Sequence, residues 1–185
     1  MGSSPLLFWP KLVINWHAAT IIYMNTMLAL DQSSHATGWA IFRDEQLIEY
    51  GVINLEEGDV GTRLVELKNK IMNLITKYNV NFVAFEDIQL QNNNVVTFKV
   101  LAEVFGLIHY LVNSINIKYV IVPSATWKST LHIKGKKRSE QKKDAQRYVL
   151  EQYNVKAIQD TVDAICIGTH VINSYSYLWE DEDNG

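Results

Sequence analysis

The sequence predicts an α/β fold: a mixed sheet of about five strands, three antiparallel and then parallel ones, flanked by helices. Three observations predict it. The apolar run Thr26-Met-Leu-Ala-Leu-Asp31 is followed by two more strand-like segments, which gives an antiparallel start. The run Phe82-Val-Ala-Phe-Glu86 comes after a helical pattern, and strand, helix, strand implies a parallel crossover. The chain has 185 residues, 48% of them hydrophobic and 20% charged, enough for one domain with a sizeable core.

In order, residues 1–23 are expected to be an N-terminal extension or cloning remnant, with Met24 or Met27 a natural start. Pro10, Lys11, Asn15 and His17 break the apolar stretch 5–23, so neither a spanning helix nor a signal peptide is expected there. The folded domain then covers 24–179, and 180–185 form an acidic tail. Strands are expected at 26–31, 37–43 and 46–54, the last two joined by Asp44-Glu45. Gly58 and Gly61 mark a loop. Leu64, Leu67, Ile71, Leu74, Ile75 and Tyr78 recur at helical spacing over 62–78, and Asn79 ends that helix. A central strand follows at 81–86, then a polar loop at 89–94. Leu101, Val104, Phe105, Ile108, Leu111 and Val112 mark a second helix, and 117–122 a strand closed by Pro123. Residues 124–138 read as a helical turn and a loop around Gly135. From Ser139 a helix carries Ala145, Tyr148, Val149 and Gln152 on one stripe, and a last helix begins at Asp160.

Net charge is −3, which does not by itself point to nucleic acid, but Lys134, Lys136, Lys137, Arg138, Lys142, Lys143 and Arg147 fall in one short stretch. The single cysteine, Cys166, excludes an internal disulfide and fits a reducing cytoplasm. Acids end or open three separate elements: Asp31, Glu86, and the i, i+3 pair Asp160 and Asp163. Taken singly, these read as a helix cap with its acidic first turn and as strand-end residues. Together they would repel one another strongly without a divalent cation. Mg2+ takes such oxygen ligands, and two ions about 3.5–4 Å apart clamp both oxygens of a phosphodiester hydrolysis. Asp87, on the opposite face of its strand, is left out. His35, His109, His132 and His170 show no metal-ligand spacing, and Ser33, Ser34 and Cys166 lack a base and orienter. Trp39, Trp127 and Tyr148 are expected to be core.

Leu28-Ala-Leu-Asp31 with Ser33, Gly38 and Trp39, then Phe85-Glu86, then Asp160-x-x-Asp163-Ala164-x-x-Ile167, in this order, resemble RuvC-type Holliday junction resolvases of the ribonuclease H-like superfamily, phage-encoded ones in style. The resemblance covers roughly residues 26–172. It implies a structure-selective DNA endonuclease with Asp31, Glu86, Asp160 and Asp163 as metal ligands and catalytic residues, Lys128 near the scissile phosphate, and Mg2+ as the cofactor, two ions per site, with Mn2+ as a substitute. It further implies a homodimer that nicks four-way junctions, with dimer contacts around Leu101 to Leu111. It offers Phe98, in the segment Gln91 to Phe98 where relatives place a junction-contacting loop, as a DNA contact, and Lys142, like Lys128, matches lysines near the scissile phosphate or DNA backbone. The basic run Lys134, Lys136, Lys137, Arg138, Lys142 and Lys143 is expected to bind DNA because such charge beside an acid cluster positions the backbone. No membrane partner is implied, and the setting is cytoplasmic, in a bacterial host if phage-encoded. A catalytically inactive branched-DNA-binding dimer is one rival. An actin-like nucleotide-binding domain is another, disfavoured because the chain is short and lacks further glycine-rich phosphate loops.

Overall fold

The computed structural model describes residues 25–90 and 94–175, together with the strand residues 13–14 and 21–22. The acidic tail and Gln91-Asn92-Asn93 lie outside the described residues, as does the rest of the N-terminal extension. β1 (Val13–Ile14) and β2 (Ile21–Ile22) pair antiparallel as a separate ribbon. The main sheet contains β3 (Thr26–Asp31), β4 (Ala36–Arg43), β5 (Gln46–Asn54), β6 (Phe82–Glu86) and β7 (Lys118–Val122), in the order β5-β4-β3-β6-β7. β4 is antiparallel to β3 and β5, and β6 is parallel to β3 and β7. The expected architecture is therefore the observed one.

Alternation along the central strands decides what each face holds. Leu28 and Leu30 of β3, with Val83 and Phe85 of β6, face α1 (Val60–Tyr78) and α2 (Val95–Ser114). Met27 and Ala29, with Phe82 and Ala84, face α3 (Ser124–Thr130), α4 (Arg138–Tyr153) and α5 (Gln159–Ser174). The second face carries Ala29, Ala40 and Ala84 on its three central strands, and α5 lies across β3 to β6 with every residue from Ala164 through Val171 buried. A Cβ on Gly168 would come within 2.2 Å of the Phe42 ring, which measures how closely helix and sheet meet.

Boundaries moved where a local hydrogen bond outweighed the pattern. The Asp59 carboxylate accepts from Thr62 N, so α1 starts at Val60 and Gly61 is helical rather than part of the loop. Asn94 caps α2 by accepting from Thr97 N, which puts Phe98 in the first helical turn and not in a loop. On α4, Gln152 is exposed, and Tyr153 packs against the core instead. Asn79 ends α1 in the left-handed conformation, as expected, and Asn154 does the same for α4. α2 is long and apolar enough to cross a membrane, but Val104, Ile108, Leu111 and Val112 bury one side of it against the sheet.

Candidate active site

Asp31 continues the odd-numbered face of β3 and Glu86 the even-numbered face of β6, so both carboxylates emerge on the side where α5 lies. α5 begins at Gln159, with Asp160 in its first turn and Asp163 one turn further on. Asp160 does not cap the helix, whose N-cap is Ile158 with no side-chain bond. A cleft of ≈ 310 Å³ is lined by all four acids, with Lys128, Arg138 and Lys142, and also by Ser124, Trp127, Gln141 and Gln159. Segments up to 132 residues apart thus meet at the carboxyl ends of the parallel strands, counting from Asp31 to Asp163.

The approach of α5 depends on Gly38, which pairs with Asp31 in the β3/β4 register. A Cβ there would lie 1.9 Å from the Asp160 carbonyl oxygen. A second device holds β3 to β6. Their backbone pairing ends at Leu30 with Phe85, and beyond it the buried Gln32 side chain takes over. Its Nε2 donates to Glu86 O, and its Oε1 accepts from Glu86 N at 3.1 Å. One amide side chain stands in for a strand's backbone and fixes the step between the two acids.

Glu86 Oε1 accepts from the Trp127 indole Nε1 at 2.8 Å, so Trp127 is core, as expected, and also touches the site. Asp163 Oδ1 accepts from Gln159 Nε2 at 2.7 Å. Burial, followed by the charges of Glu86, Asp163 and Asp160, pushes the Asp31 carboxyl well above the ordinary aspartate range, with Lys128 opposing. Burial likewise raises Asp163 to about 6, against the Gln159 hydrogen bond and the nearby Lys128 and Lys142. Carboxyls perturbed in this way lack enough positive charge nearby.

The donor set fits a hard divalent cation: four carboxylates, all oxygen. Among the described residues no three acid, His or Cys side chains stand close enough to form a ready-made ion cage.

The remaining expected site residues lie elsewhere. Lys134, Lys136 and Lys137 are exposed on the loop leading into α4, and Lys143 is exposed on α4; none lines the cleft. That loop is folded back on its helix: Glu140 accepts from Lys136 N and Lys137 N, and Asp144 accepts from Gly135 N at 3.0 Å. Two nearby carboxylates are thereby occupied by backbone while the lysine ends stay in solvent. Phe98 is partly buried and outside the cleft lining. Ser33 Oγ donates to Ala36 O at 2.7 Å and builds the β3–β4 turn, which leaves it no nucleophile's role. His170 is buried toward the far end of α5 beside Ser174. Sequence reading missed Gln32, Ser124, Gln141 and Gln159. The one available signal was spacing, since Ser124, Trp127 and Lys128 stand at i, i+3 and i+4.

Comparison with known proteins bears on the family and the fold. The family described as crossover junction endodeoxyribonuclease RuvC matches residues 27–170. No curated protein matches the chain by sequence. Among solved structures, Thermus thermophilus RuvC in complex with a Holliday junction substrate superposes with a TM-score of 0.64 at 12% identity, covering 83% of this chain and 96% of that one. The fowlpox virus Holliday junction resolvase superposes with a TM-score of 0.56 at 12% identity, covering 80% and 99%. At these identities the likeness is one of fold, and the family rests on the sequence match: the chain belongs to the RuvC family of crossover junction endodeoxyribonucleases.

Proposed function

We propose that this chain is a divalent-metal-dependent endonuclease that nicks four-way DNA junctions, and other branched DNA less selectively, as a cytoplasmic homodimer. The observation that carries the reading is the convergence of Asp31, Glu86, Asp160 and Asp163, from three separate segments, beside Lys128, Arg138 and Lys142. The four acids would hold Mg2+, two ions per site, with Mn2+ as a substitute. Bound ions would activate water and relieve charge on the departing 3′ oxygen. The chain's own residues do the rest. Lys128, Arg138 and Lys142 attract and seat the phosphate opposite the acids, and Gln32 and Gly38 hold the acids at their spacing. The serine that lines the cleft, Ser124, accepts from the Lys128 ammonium at 2.7 Å.

The apolar outer side of α2 suits a second copy of the chain. Val96 is 76% exposed and Tyr110 70% exposed. The upstream end of the same helix carries Phe98 one turn on from exposed Val95, where a junction's unpaired bases would find apolar contact.

The test is a labelled four-way junction, a replication fork and a linear duplex incubated with Mg2+, with Mn2+ or with EDTA. Paired nicks in the junction that require the cation are expected, with slower cutting of the fork. A protein that binds the junction and leaves it intact with either ion overturns the reading.

The exposed basic residues at the start of α4 contribute backbone contacts, which carry a defined salt signature. Replacing Lys136, Lys137 and Arg138 together by Gln is expected to flatten the slope of log affinity against log salt by about 2–3. Junction binding measured by fluorescence anisotropy across salt concentrations checks this, and an unchanged slope removes the patch from the interface.

A further inference from the structure

α3 carries Ser124, Trp127 and Lys128 on one helical face, and all three line the cleft. Trp127 is 1% exposed and packs in the core beneath α5, yet its Nε1–H donates to Glu86 Oε1 at 2.8 Å. The Lys128 ammonium sits 5.0 Å from the centre of the same indole and donates to Ser124 Oγ at 2.7 Å. A buried indole N–H needs some acceptor, and a backbone carbonyl would meet that need. Here the acceptor is instead a carboxylate that opens on the cleft.

The last torsion of a glutamate is soft, so a free carboxylate swings over a broad range. Glu86 has reason to swing, because its charge repels Asp31 and Asp163. Gln32 grips its backbone from one side and Trp127 grips one carboxylate oxygen from the other, which fixes the residue at both ends. The indole face meanwhile seats Lys128, whose charge acts on Asp31 and Asp163.

We propose that Trp127 is a positioning residue for the cleavage reaction: its N–H holds one oxygen of Glu86 so that the other is presented to the cleft in a single orientation. This rests on the reading of Glu86 as a cation ligand. Trp127 acts through Glu86 and touches neither DNA nor cation. Outer partners of metal ligands typically affect cation affinity or activity by about 10–100-fold, and that is the size of effect expected.

Two replacements separate the N–H from the bulk of the ring. Trp127→Phe removes the N–H and some volume, whereas benzothienylalanine at position 127 keeps the bicyclic shape and the seat for Lys128 but has sulfur where the N–H was. Mn2+ affinity is read by electron paramagnetic resonance without DNA, and kcat and KM by junction cleavage with Mg2+. The benzothienyl protein is expected to melt within a few degrees of the parent, to bind Mn2+ about 10–100-fold more weakly, and to lose kcat by a similar factor with KM nearly unchanged. In the parent, the 15N-labelled indole resonance of Trp127 is expected to move on adding Mg2+, and to lie elsewhere in Glu86→Gln. Parent-like Mn2+ affinity and kcat in the benzothienyl protein would make Trp127 core alone and leave the metal site standing. Mn2+ affinity unchanged in Glu86→Gln would remove Glu86 from the site, and this proposal with it.

Discussion

Asp31→Asn is expected to cut junction cleavage by at least about 10³-fold while junction binding is kept or tightened. Asp31 is the most crowded of the acids: it is partly buried, and the charges of Glu86, Asp163 and Asp160 all act on it. Asn keeps the shape and one oxygen but loses the charge that draws in a dication. The same loss removes repulsion toward a DNA phosphate, which is why affinity does not fall. Cleavage near the parent rate would sink the mechanism.

The same substitution has a stability consequence of fixed sign. A carboxyl whose folded pKa lies above its unfolded value leaves the native state holding more protons, so stability falls as pH rises between the two. For Asp163 that window runs from the ordinary 3.8 to about 6, and Asp31 shifts in the same direction. In EDTA the protein is therefore expected to melt higher at pH 5 than at pH 7.5. Mg2+ restores the loss at pH 7.5 and adds little at pH 5. Asp31→Asn is expected to raise the metal-free melting temperature at pH 7.5, because it removes a carboxylate that burial and the neighbouring acids disfavour in its charged form. Scanning calorimetry at the two pH values checks it, and a lower melting temperature in the variant contradicts the electrostatic account.

The outline of the sheet was legible because its central strands are continuous apolar runs ending in acid, a pattern that survives any choice of neighbour. The acids' common destination was legible from strand alternation together with the resemblance, since Asp31 and Glu86 end parallel neighbours and Asp160 and Asp163 share a helix face. Gln32 was not, because a glutamine after a strand reads as loop, and its pairing partner lies 54 residues away. Trp127 was read correctly as buried, but burial is silent about where an indole N–H points. The basic stretch read as one patch, and helical spacing divides it: Arg138, Gln141 and Lys142 turn into the cleft at i, i+3 and i+4, while Lys143 turns away. The polar run is expected to end at Asn94, where α2 is capped, and only the resemblance carries a junction-contacting loop as far as Phe98.

Gly38→Ala is expected to destabilise the protein by about 3 kcal/mol, lowering the melting temperature by roughly 6–12 °C, and to reduce cleavage by about 10²-fold in whatever remains folded. The reason is what the new methyl group meets. It would lie 1.9 Å from the Asp160 carbonyl oxygen, 2.2 Å from the carbonyl carbon and 2.9 Å from Thr161 N, all of them backbone in the first turn of α5. No rotamer change relieves such a contact, so the helix must lift off the sheet. At this point the helix carries Asp160 and Asp163, and the strand opposite Gly38 carries Asp31, so the displacement opens the carboxylate cluster itself. Thr161, whose hydroxyl donates to Gly51 O at 3.0 Å, would lose its hold on β5 in the same movement. Gly58→Ala is the matched control, because its Cβ would meet only the Thr62 side chain, at 3.7 Å, and both stability and cleavage are expected to stay near the parent's. If Gly38→Ala melts and cuts like Gly58→Ala, α5 is not pressed against β4 where this cluster requires it, and the convergence of the four acids loses its structural basis.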